Sequence, residues 1–106
     1  MTTYDIAVRE PVAKGEVLYV VIPPGKYTEA DLQAFVGDMV AANPKIWQMY
    51  VFDDQAAVAA ARVPAADRTA SEKDLLAKHH LVSLLEGQVV RFEGPYSSYG
   101  EVILGS

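Results

Sequence analysis

The stretch KIWQMYVFD, Lys45 to Asp53, decides the fold of this 106-residue chain. Its alternating positions are apolar in both sets, with Trp47, Met49 and Val51 on one side and Ile46, Tyr50 and Phe52 on the other. A strand with one face in water alternates apolar with polar residues, whereas one apolar on both sides belongs inside a covered sheet. A second run of this kind, EVLYVVI at Glu16 to Ile22, lies upstream.

What joins the two runs sets their direction. Pro23-Pro24-Gly25 ends the upstream run, and Thr28-Glu29-Ala30-Asp31 reads as a capping box in which the Thr28 hydroxyl accepts from the Asp31 amide. Leu32, Phe35, Val36, Met39 and Val40 follow at helical spacing and give one apolar face; Asn43-Pro44 stops the helix. A strand, a helix and a strand so closely joined fit only parallel pairing, which makes a right-handed βαβ unit.

Upstream, Tyr4, Ile6 and Val8 alternate with Asp5 and Ala7, predicting a strand from Thr3 to Val8, and Pro11 to Gly15 breaks it. Downstream, Asp54 to Arg62 is an Ala-rich helix capped by Asp53 or Asp54, with Pro64 beyond its end. Residues 63–70 form a loop, and Ser71-Glu72-Lys73-Asp74 offers a capping box for a helix of two turns. Leu81, Val82, Leu84 and Leu85 fit either the tail of that helix or a buried strand. The strand is the preferred reading for residues 80–85, because Glu86-Gly87 then makes a tight hairpin into Gln88 to Phe92; a helix with Gly87 beyond its C-cap is the rival. Gly94-Pro95 and Ser97-Ser98 turn the chain into a last strand, Tyr99 to Leu104.

The sum is one α+β domain over residues 1–106: a mixed sheet of five to six strands with a βαβ unit and helices packed mainly on one face. It resembles a ferredoxin-like sandwich in part. A dimeric α+β barrel oxygenase places a long helix before its last strand, and here strands close the chain. The layout is also of the kind met in small bacterial domains. Neither likeness transfers a residue role or an activity.

Composition narrows the function. Hydrophobic residues make up 51% of the chain and charged ones 22%, enough apolar surface for a core without staples. Cysteine is absent, which removes disulfides, thiolate nucleophiles and cysteine-ligated metals. Fourteen acidic against nine scattered basic residues give a net charge of −5, so nucleic acid and anionic membrane are not expected partners. MTTYDIAVRE lacks the pattern of a signal peptide, and no apolar run is long enough to span a bilayer; a soluble, cytoplasmic protein is expected.

His79 and His80 are the residues most suggestive of chemistry. Adjacent residues point to opposite faces of a strand and about 100° apart on a helix, so the pair is ill placed to share a metal, and no metal or cofactor is expected. Either imidazole could titrate as a general base if a partner faced it. A second candidate is positional. The C-terminal ends of the two parallel strands bring Lys26 and Tyr27 to the same sheet edge as Asp53 and Asp54, where open α/β sheets bind ligands. A bland alternative is that Lys26 is solvated and the aspartates cap a helix. PPGK lacks the spacing of a phosphate-binding loop, and no serine lies in a GxSxG elbow. Tyr96 and Tyr99, with Trp47 and Tyr50, could line an aromatic pocket or a subunit contact.

The leading expectation is therefore a non-catalytic binding or assembly module. A homodimer through the last strand as an exposed edge is expected, with a protein or small molecule as further partner. The alternative is a small-ligand-binding protein or enzyme using Lys26, Tyr27, Asp53, Asp54, His79 and His80; whether the chain is an enzyme stays open.

Overall fold

The two doubly apolar runs are adjacent parallel strands in the computed structural model, which describes residues 3–104. In chain order the elements are β1 (Asp5–Val12), β2 (Gly15–Val21), α1 (Glu29–Ala42), β3 (Ile46–Phe52), α2 (Gln55–Arg62), α3 (Ala70–His79), β4 (His80–Leu85), β5 (Val89–Phe92) and β6 (Glu101–Ile103). Short 3₁₀ turns occupy Ala65–Asp67 and Gly94–Tyr99. The sheet has six strands in the order β1-β2-β3-β4-β5-β6, antiparallel throughout except for the β2–β3 pair. The α+β class, the mixed sheet and the βαβ unit are thus as read from the sequence. Likeness to a ferredoxin-like sandwich stops there, because a split βαβ unit separates the parallel strands that here touch.

α1 is held as its spelling implies. Thr28 Oγ1 accepts from the Asp31 amide at 3.0 Å and Asp31 returns the bond to the Thr28 amide at 2.9 Å. Leu32, Phe35, Val36 and Met39 are buried against Leu18 and Val20 of β2, Ile22 just beyond it, Met49 and Val51 of β3, and the inner residues of β4 and β5. The opposite face carries a smaller cluster, in which Phe52, Tyr19 and Tyr50 pack beneath Ala57 and Val58 of α2 and Leu76 of α3. Two of the three α-helices therefore share one face, while the larger core lies under α1 alone on the other. β3 requires both covers because it is apolar on both sides.

Three irregularities shift the strand registers, between Ile6 and Val8, between Glu16 and Val17, and between Val51 and Phe52. At the second, β3 advances from Ile46 to Gln48 while β2 advances by one residue, so Trp47 is a bulge. This corrects the expected faces of β3: Ile46 joins Met49 and Val51 in the α1 core, and Trp47 leaves it. At the third, β4 skips Leu81, with Val82 opposite Val51 and His80 opposite Phe52.

Element ends differ from expectation in three places. β1 runs on to Val12 through Pro11, which a strand at the sheet edge tolerates because the missing N–H costs no ladder bond. α3 is capped two residues earlier than expected, by Thr69 with Glu72 completing the box, so it gains residues at its start. Residues 80–85 are strand, as preferred from the sequence, and the connection from Leu85 to Val89 turns through Glu86 and Gly87 at positive φ, 54° and 69°. The last strand is only Glu101–Ile103, because residues 94–99 coil into the 3₁₀ turn. Among the described residues, no helix is long and apolar enough to cross a membrane.

Candidate functional site

A cavity of about 310 Å³ opens on the face covered by α2 and α3. Tyr19 and Tyr50, register partners on β2 and β3, form its floor with ring centroids 5.1 Å apart. Ala61 of α2 and Leu76 of α3 supply apolar wall, and Arg68, His80 and Glu93 complete the lining.

The skipped Leu81 is what aims His80 here. Residues three apart on a regular strand face opposite ways. With one residue bulged out, His80 shares a face with Ser83, and its Nε2 lies 2.9 Å from Ser83 Oγ. Ser83, fully buried, donates to Glu93 Oε2 at 2.9 Å. A hydroxyl has one proton, and Glu93 takes it; His80 Nε2 must then carry a hydrogen and donate, which leaves Nδ1 as the lone-pair nitrogen. Behind the ring, Phe52 stacks on His80 at 4.7 Å between centroids.

Burial dominates the electrostatics. It pushes His80 down to about 4, helped by the Arg68 charge, so the ring is neutral at ordinary pH. Burial likewise raises Tyr19 and Tyr50, which remain phenols, and raises Glu93 against the opposing pull of the Ser83 bond and of Arg91. Arg68 is held in place by α2: its Nε donates to Ala60 O at 3.2 Å and Val63 O at 3.0 Å, and its Nη2 to Ala61 O at 3.0 Å. These carbonyls lie at the C-terminal end of α2, where a helix runs out of intrahelical donors, and Ala60 O is shared with the Val63 amide.

The residues singled out from sequence are distributed over three places. Asp53, Asp54 and His79 come together at the sheet edge: His79 Nδ1 lies 2.7 Å from Asp53 Oδ1, and its Nε2 lies 3.9 Å from Asp54 Oδ2. Asp54 also caps α2, accepting from the Ala56 amide at 2.8 Å. Both aspartates line a cavity of about 180 Å³ beside Asp5, Pro23 and Pro24. Lys26 and Tyr27 open instead onto a cavity of about 490 Å³ against α1, with Tyr4, Phe35, Asp31 and Asp38. The Tyr27 hydroxyl donates to Pro23 O, and burial followed by the Asp53 charge raises its pKa. His80 alone of the six reaches the two-helix cavity. Among the described residues, no group of three His, Asp or Glu side chains is arranged to hold a metal ion.

The four aromatics considered together do not converge on one place. Tyr96 stacks on Tyr99 at 6.3 Å, Tyr50 lies with Tyr19, and Trp47 sits under the Lys14 ammonium. Tyr19, Arg68, Ser83 and Glu93 were not identified from sequence as site residues. One signal was present: Ser83 is the lone polar residue inside the buried run LVSLL, and a buried hydroxyl needs partners. Comparison with protein-family profiles, curated protein sequences and solved structures finds no match to this chain.

Proposed function

We propose that this chain is a non-catalytic small-molecule-binding domain whose ligand occupies the two-helix cavity. The observation that carries the reading is the convergence of two phenols, a guanidinium, a neutral imidazole and a carboxylate on one space of about 310 Å³. That volume and mixture, a few placed polar groups against apolar wall, suit a small ligand. Binding is favoured over catalysis because the titratable groups are ill matched to proton transfer near neutral pH. A histidine pushed down to about 4 is a weak base there, and the Ser83 proton is committed to Glu93 in a fully buried position. A cytoplasmic setting belongs to the same proposal, motivated by the acidic, cysteine-free composition.

The test is a fragment screen by amide-resolved NMR on the full chain. Compounds that bind should move the resonances of Tyr19, Tyr50, His80 and Glu93 together; hits that leave these unmoved and gather elsewhere would sink the reading.

A second reading keeps the sheet edge at Asp53 and Asp54 as an enzyme site, without Lys26, favoured by the His79–Asp53 contact of 2.7 Å. A carboxylate on one ring nitrogen orients a general base. The other nitrogen, however, faces the Asp54 carboxylate. This arrangement ties the end of α3 to the start of α2 more directly than it presents a base to substrate. Loss of a defined hydrolytic or isomerase activity in a His79→Gln variant would restore the enzyme reading.

A further inference from the structure

The two-helix cavity is lined by two groups of opposite formal charge, Arg68 and Glu93. Among the described residues, neither forms an ion pair, with the other or with anything else. Each also has an unspent polar edge. Arg68 uses Nε and Nη2 on α2 carbonyls, and Glu93 uses Oε2 on Ser83, so Nη1 and Oε1 take no hydrogen bond from the described residues. The rest of the lining is uncharged: two phenols, a neutral imidazole, Ala61 and Leu76.

The charges act on different parts of the wall. Arg68 bears on His80 and Tyr19, and Glu93 bears on Tyr50. A simple anion would meet Arg68 and be opposed by Glu93, and a simple amine would meet the reverse. A neutral polar molecule would leave both charges in a partly desolvated site without a counter-charge. Only a ligand carrying both signs answers both. A volume of about 310 Å³ also suits a small molecule.

Resting on the reading that this cavity binds a small molecule, we propose that its ligand is a compact zwitterion of amino-acid size, its carboxylate on Arg68 and its ammonium on Glu93. The phenols of Tyr19 and Tyr50 add neutral hydrogen bonds, and Leu76 with Ala61 faces the apolar part of the ligand. A guanidinium fixed by three backbone carbonyls is preorganised, so ordering it on binding costs little.

The experiment is calorimetric and NMR titration of the full chain with a panel of α-amino acids, with matched monocarboxylates and monoamines that lack one charge, and with matched neutral amides. The best amino acid should bind about tenfold tighter than either singly charged analogue and should move the Tyr50, His80 and Glu93 resonances. Glu93→Gln should cost the amino acid about tenfold while changing the monocarboxylate by less than about threefold. Should that variant fail to fold, the analogue series on the native chain decides alone. If a singly charged or neutral compound binds the cavity as well as the zwitterion, the ligand class is wrong and the binding reading survives. If no compound of any class in the panel or the fragment screen moves the cavity residues, both fall.

Discussion

His80 and Ser83 share one face of β4, with Nε2 and Oγ 2.9 Å apart, although they are three positions apart in the chain. The bulge at Leu81 produces this, and through Ser83 it joins His80 to Glu93. The buried polar chain is complete among the described residues, which leave no buried side-chain nitrogen or oxygen without a partner. Removing its middle member should therefore cost more than an ordinary surface hydroxyl would.

Ser83→Ala should destabilise the chain by about 1–3 kcal/mol, because the His80 N–H and the Glu93 carboxylate would both lose a partner in a desolvated place. Urea denaturation at neutral pH measures it. A loss below about 0.5 kcal/mol would mean that water replaces the hydroxyl.

Acid should weaken the fold through His80. Its value of about 4 in the folded state lies below the ordinary 6.5, so between those limits the unfolded chain takes up a proton that the folded chain refuses. Stability from this group is intact above pH 6.5, falls as the pH drops to about 4 by roughly 3 kcal/mol, and falls no further below it. Glu93 works in the opposite direction, because its raised pKa makes acidification favour the folded state. His80→Gln should flatten the acid loss and expose the Glu93 trend. Denaturation midpoints at pH 7 and pH 5 that are equal for the native chain would refute this.

Gly94 sits at φ 49°, where a Cβ would lie 2.4 Å from His80 O and 2.9 Å from Ala77 O. Both are backbone atoms and cannot swing aside. Gly94→Ala should cost about 2 kcal/mol or more, read as a lowered melting temperature, and should disturb Glu93 next to it. Unchanged melting would place the 3₁₀ turn differently from that described.

Asp54→Ala should cost about 1 kcal/mol by loss of the α2 cap, while Asp54→Ser should recover most of it. Neither should alter binding in the two-helix cavity. An effect of Asp54→Ser on ligand affinity as large as that of Glu93→Gln would move the site to the sheet edge.

Assembly through β6 is a separate proposal, motivated by an edge strand of three residues preceded by the exposed Tyr99. A dimer mass by light scattering at about 100 µM is the expected result, and a monomer mass would remove the edge-pairing idea.

The periodicity of Glu16–Ile22 and Lys45–Asp53, with the α1 pattern between them, was enough to read the parallel pair, the crossover and the α+β class. Those features follow from local rules: which residues alternate, which cap, and which stop a helix. The cap of α2, narrowed to Asp53 or Asp54, and the turn at Glu86-Gly87, preferred over a helix C-cap, were legible in part for the same reason.

The cavity was not legible, because alternation assumes an unbroken register. Bulges at Trp47 and Leu81 exchange faces, because one extra residue on a strand reverses the alternation beyond it. Sequence by itself determined the α+β class, the parallel pair and the start of α1 at Thr28. Only the tertiary structure decided that His80 turns away from His79 towards Ser83, that Arg68 is fixed by the end of α2, and that Glu93 meets them. Those contacts join residues only three to ten apart, but they depend on a bulge, a helix end and a turn, and regular strand or helix periodicity encodes none of these.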